Sequence, residues 1–222
     1  MVKEWCQKLS CFPEKVWISY AKSRDPLTRL VSIEDYTTFY HAARECGMNL
    51  AREIREKWGD ISCQEIAEKL GVRVEQLSMP TGDGLLTFAC FHEPDYIQVF
   101  TDNAEATQML IRDSGGNEIL GDMDICEILL AHELFHVLQE KDSSLYVNQK
   151  HIRIWNLGPI KRNSKLMSLE EVAAMAFAQE LLQMSLNPYV YDVLMLLPKA
   201  TMQAKQLYER LLLMGEEEAS YE

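Results

Sequence analysis

The sequence predicts an α+β protein in which a small antiparallel three-stranded sheet packs on a mostly helical body with one central helix. Three observations carry this prediction. Apolar residues recur at helical spacing over most of the chain. Between residues 72 and 101 that period gives way to short strand-like runs separated by turn residues. The run Ile125 to Gln139 is so apolar that it suits the interior of a protein better than its surface. That run also contains His132-Glu133-Leu134-Phe135-His136, an H-E-x-x-H pattern.

The N-terminal stretch to residue 31 mixes Trp5, Phe12, Trp17, Ile18 and Tyr20 with Pro13 and Pro26, which fits two short helices and a loop from Arg24 to Leu30. Ser32 then stands as an N-cap before Glu34 and Asp35, with Tyr36, Phe39, Tyr40 and Ala43 at helical spacing until Gly47 stops the run. Asn49 to Trp58 reads as a further helix closed by Gly59. Ser62 and Glu65 form a capping-box pattern before Ile66, Ala67 and Leu70, and Gly71 ends that helix.

Val72 to Leu77, Leu85 to Phe91 and Tyr96 to Thr101 read as three strands. Gly82 to Gly84 and His92 to Asp95 supply the turns, which gives an antiparallel meander. Residues 103 to 121 include a short helix interrupted at Gly115 to Asn117. Asp122 or Asp124 caps the helix that carries the motif, and Lys141 to Met167 shows no clean period and reads as a substrate-facing or mobile connector. Ser168 to Met184, Tyr189 to Leu197 and Lys199 to Met214 are the remaining helices, divided at Pro188 and Pro198. The resulting organisation is a helical region over 1–60, a core over 61–186 and packed helices over 187–222.

The chain has 222 residues, 47% of them hydrophobic, so it can bury a substantial core. A net charge of -12 with both signs interspersed argues against a general nucleic-acid or anionic-membrane surface. No apolar run approaches bilayer length, and the N-terminus lacks a signal-like apolar stretch. The six cysteines form no CxxC, so reduced thiols in a cytoplasmic protein are expected.

Histidines four apart on a helix stand one turn above each other, so the imidazoles of His132 and His136 can meet one metal ion. Glu133 projects about 100° round the helix from His132, within reach of a water on that ion. Zinc suits two imidazoles, a carboxylate and one open position, and a single zinc ion is the expected cofactor. Glu170, Glu171 and Glu180 on the downstream helix are the candidates for the third ligand. Glu171 leads them, because Ala174 and Ala178 share its stripe and permit a close helix approach. The competing reading makes Ser168 and Glu171 a capping box, with the carboxylate spent on the helix end.

From Ile66 to Leu182 the chain resembles the ImmA/IrrE-type zinc metallopeptidases. The likeness lies in Ile66 to Val72 leading into strands, in Leu130 to His136, and in Glu171 to Leu182 with its Phe177-Ala178 and Leu181-Leu182 ending. The resemblance implies a zincin-like fold, Glu171 as third ligand, and an intracellular zinc peptidase of the kind found with mobile elements and stress responses. Two positions depart from the family pattern: Phe135 replaces a glycine before the second histidine, and Met175 replaces an asparagine. Phe135 must therefore find room against a neighbouring element.

The expected function is hydrolysis of peptide bonds in a peptide or protein substrate, with His132, His136 and Glu171 on zinc and Glu133 as general base. His151 and Tyr146 are the candidate donors to the transition state. His41 and His92 have no partner pattern and read as structural or solvent-facing. The alternative is a non-catalytic interaction or regulatory protein that keeps the scaffold. A DNA-binding reading of Glu65 to Val72 as half a helix-turn-helix lacks a basic recognition helix after it.

Overall fold

A computed structural model describes residues 1–78, 86–157 and 160–219. Helices α1 (Val2–Ser10) and α2 (Glu14–Ser23) lead into a 3-10 turn over Pro26–Leu30. α3 (Ile33–Trp58) and α4 (Cys63–Leu70) follow, then strands β1 (Arg73–Leu77), β2 (Ala89–His92) and β3 (Tyr96–Phe100). After the sheet come α5 (Thr101–Asp113), α6 (Asn117–Leu120), the motif helix α7 (Ile125–Lys141) and α8 (Tyr146–Gln149). A hairpin of β4 (Ile152–Leu157) and β5 (Ile160–Ser164) connects to α9 (Met167–Leu181), α10 (Val190–Leu194) and α11 (Thr201–Ala219).

The caps act as their chemistry dictates. Ser62 and Glu65 bond reciprocally at the start of α4, and Gly71 closes it at φ 72°, a left-handed conformation that favours glycine. The Asp124 carboxylate accepts the Cys126 N–H at 2.8 Å and starts α7. α4 is followed by β1, so no recognition helix stands where a helix-turn-helix would need one.

The structure corrects the sequence reading in three places. The sheet is mixed rather than an antiparallel meander. Its order is β1-β3-β2, with β1 parallel and β2 antiparallel to β3. β3 takes the centre because it is the most apolar strand, with Ile97, Val99 and Phe100 buried, whereas β1 and β2 carry no buried residue. The expected turn at Gly82 to Gly84 lies outside the described residues.

Gly47 does not stop a helix: α3 runs through it as one 26-residue helix. A Cβ built there would lie 2.0 Å from the Ala173 carbonyl oxygen, so glycine is needed for α3 and α9 to approach backbone to backbone. The stretch read as a connector without structure contains α8 and the β4–β5 hairpin, with a register shift between Arg153 and Trp155.

α7 lies at the centre, between α4, α5 and α9 on its sides and β2 and β3 of the sheet. A single cluster of buried side chains runs from Trp5 in α1 to Leu211 in α11 and includes Tyr36, Tyr40, Ile97, Leu134 and Phe177. Among the described residues no helix is long and apolar enough to cross a membrane.

Candidate metal centre

Two helices supply the polar cluster at the heart of the molecule. His132 and His136 stand one turn apart on α7, and their Nε2 atoms are 3.2 Å from each other. α9 packs along α7, with Ala174 and Ala178 fully buried. This brings Glu171 to the imidazoles, Oε2 at 3.6 Å from His132 Nε2 and Oε1 at 3.8 Å from His136 Nε2.

The capping-box alternative for Glu171 does not hold. α9 begins at Met167 with no side-chain cap, so Ser168 lies inside the first turn. The Ser168 N–H is instead satisfied by Asp25 Oδ2 at 3.3 Å. Glu170 points to Lys165, at 3.9 Å, and Glu180 pairs with Arg52 at 2.9 Å, so neither competes for the cluster.

The donor set fits a metal ion. His132, His136 and Glu171 each offer one ligand atom, all within 4.8 Å of one another. Donors about 2.0–2.2 Å from a tetrahedral ion sit about 3.3–3.6 Å apart, close to the spacing found. Burial lowers the His132 pKa to about 4, against the pull of Glu171, so the imidazole is neutral at physiological pH. Burial opposes ionisation of Glu171, but His132, His136 and Arg24 together outweigh it and hold the carboxyl below its usual value. A neutral imidazole and an ionised carboxylate are the forms that ligate metals.

A cavity of about 680 Å³ opens on the cluster, walled by the end of α2, the approach to β2, α7, α9 and α10. Glu133 lies on its wall with only 9% exposure. Burial raises its pKa to about 7 with help from Glu171, while His136, the Phe91 backbone N–H and His92 pull the other way. Phe135 faces away from the cavity. It is fully buried, with its ring 5.9 Å from that of Phe177 on α9, so it leaves the cavity clear.

Comparison with family models, curated proteins and solved structures returned no match.

The two expected transition-state donors are not at the cluster, and neither lines the cavity. Tyr146 packs in α8 beside Cys46 of α3, and His151 is exposed with Nδ1 on the Gln149 carbonyl at 2.8 Å. Proximity in sequence to the motif helix suggests both, but neither side chain forms part of the cavity wall. His41 is exposed, and His92 stacks on Tyr96 at the end of β2.

The sequence reading missed Arg24. It ends α2, lines the cavity, and influences both Glu171 and His132. Its Nη1 bonds Asp192 Oδ2 at 2.6 Å, and the Tyr20 hydroxyl donates to the same oxygen at 2.8 Å. Nothing local in the sequence marks a lone arginine as part of a site built more than a hundred residues downstream. Gln139 was the more legible omission: it stands three after His136 on the same face, and its Oε1 lies 3.0 Å from His136 Nδ1.

Proposed function

We propose that this chain is a zinc-dependent peptidase, with one ion held by His132, His136 and Glu171 and with Glu133 as general base. The observation that carries the reading is Glu171, brought by α9 to the two Nε2 atoms beside a buried glutamate on a cavity wall. Zinc suits two imidazoles and one carboxylate with a position left open. When bound, it supplies Lewis acidity that activates water and polarises a peptide carbonyl.

The chain's own residues account for the rest. Glu133 takes the proton of the attacking water and hands it to the leaving amine, and a carboxyl titrating near neutrality suits both transfers. Arg24 is the cationic donor lining the cavity and takes the place proposed for His151 and Tyr146, opposite charge that develops on the substrate oxygen. Among the described residues β2 is an edge strand on the cavity wall, and an extended peptide can add to such an edge. A polypeptide substrate in the cytoplasm, and kinship with the ImmA/IrrE-type peptidases, belong to the same proposal. The buried position of Phe135 supports it, because this departure from the family pattern does not obstruct the cavity.

Metal analysis and a turnover assay test the reading together. Wild type is expected to hold one zinc per chain, Glu171→Ala to bind it at least about tenfold more weakly, and Glu133→Gln to keep zinc while losing cleavage of a mixed peptide library. Full occupancy and unchanged affinity in Glu171→Ala would overturn the third ligand. A wild type that cannot take up zinc would overturn the peptidase. Glu133→Gln without effect on any activity found would favour a non-catalytic scaffold.

A further inference from the structure

A chain of hydrogen bonds leads from the C-terminal end of α7 back to the second histidine of the cluster. Asn148, on α8, donates through Nδ2 to two backbone carbonyls, Gln139 O at 2.7 Å and Asp142 O at 2.8 Å. Both partners are pure acceptors, so the orientation of this amide is fixed: the nitrogen faces the carbonyls and Oδ1 faces the other way. Lys165 Nζ donates to that Oδ1 at 3.0 Å, as it could only to an oxygen.

Gln139 meets the same oxygen. Opposite an acceptor that is already fixed, Gln139 must present Nε2, which lies 3.3 Å from Asn148 Oδ1. Its own Oε1 is thereby turned to His136 Nδ1, at 3.0 Å. An amide oxygen can only accept, so Nδ1 carries the proton, and in the neutral imidazole Nε2 is then left with the lone pair. The Nε2 atoms of His132 and His136 are 3.2 Å apart, so at most one proton lies between them, and the chain assigns the bare nitrogen to His136.

We infer that Gln139 and Asn148 are positioning residues that lock His136 in the tautomer able to ligate a metal through Nε2. Gln139 is 8% exposed, so water competes poorly for its amide. The partner of the histidine is a neutral amide rather than a carboxylate, and its direction is set by backbone carbonyls two bonds further along the chain.

The zinc arm of the test rests on the metal reading above; the tautomer arm does not, because it is read in chelator-treated protein. At mildly alkaline pH, long-range nitrogen–proton NMR correlations should show His136 of the metal-free wild type with its proton on Nδ1. A proton on Nε2 would overturn the inference whether or not zinc binds. Asn148→Ala frees the Gln139 amide to turn, and His136 should then sample both tautomers. A single unchanged Nδ1–H tautomer in that variant would remove Asn148 from the chain.

Competition with a chromophoric chelator should place Gln139→Met about 10–100-fold below wild type in zinc affinity. Gln139→Glu, which keeps an acceptor for Nδ1, should recover most of the loss. Wild-type affinity in Gln139→Met, or equal weakness in both variants, would overturn the assignment. Thermal melts of each variant confirm that the comparison is made between folded proteins.

Discussion

A carboxyl group with 9% exposure and no ion-pair partner among the described residues is held at the expense of the fold, and Glu133 is in that position. Its pKa is about 7 in the folded chain against a usual 4.5. Below 4.5 both states are protonated and the residue contributes nothing to pH dependence. Between 4.5 and about 7 the folded state keeps a proton that the unfolded state releases, so stability falls as pH rises; above about 7 the penalty is constant. A difference of one pKa unit corresponds to about 1.4 kcal/mol, so the rise from 4.5 to about 7 makes the penalty on the order of 3 kcal/mol. In chelator-treated protein, Glu133→Gln should therefore melt above wild type, by a margin that opens across this interval and then levels off. A margin independent of pH would mean that Glu133 is not held by burial. The motif showed His132, Glu133 and His136 because helix spacing alone places them together, and the small-residue stripe pointed to Glu171. Arg24 was illegible because it reaches the site from more than a hundred residues away, and Asn148 because it lies in α8, in a stretch with no readable period.

Helix α9 has to come close to two helices at once, α7 for the cluster and α3 behind it. Gly47 makes the second approach possible, and this is the feature that sequence reading turned into a helix end. Glycine lowers helix propensity, and only the neighbouring helix shows why it is tolerated in the middle of α3. A Cβ at Gly47 would meet the Ala173 carbonyl carbon at 2.9 Å and the Phe177 nitrogen at 3.0 Å as well as the Ala173 oxygen. These are backbone atoms, which cannot rotate aside, so the helices must part. Gly47→Ala should cost about 2–4 kcal/mol and lower the melting temperature accordingly. Because Glu171 rides on α9 two residues before Ala173, zinc affinity should fall in the same variant. Unchanged melting and unchanged affinity would mean that the two helices are not held this close. The strand order was hidden for a related reason: alternation identifies which runs are strands but not which of them is central, and that was decided by the greater burial of β3.

The three regions expected from the sequence share one core. Tyr36 and Tyr40 of α3 and Phe177 of α9 are fully buried in it, together with Tyr189 next to α10. The first region also contributes polar ties. Asp25 accepts the Ser168 N–H at the start of α9, and Arg24 and Tyr20 hold Asp192 of α10. A fragment of residues 61–186 would retain all three proposed ligands and Glu133 yet lose the helix that covers α9 and every one of these ties. Its Ala173 and Phe177 face would lie open to water, with about 25 cal/mol lost for each Å² of apolar surface uncovered. The fragment is expected to show no cooperative thermal transition by circular dichroism. Its zinc affinity should fall well below that of the full chain, because metal binding would then have to order the site that the core otherwise prepares. A fragment that melts cooperatively and binds zinc as the full chain does would reduce residues 1–60 to an appendage. The reverse result would make the helices outside this fragment, α1 to α3 with α10 and α11, part of the apparatus that holds Glu171 against the two histidines.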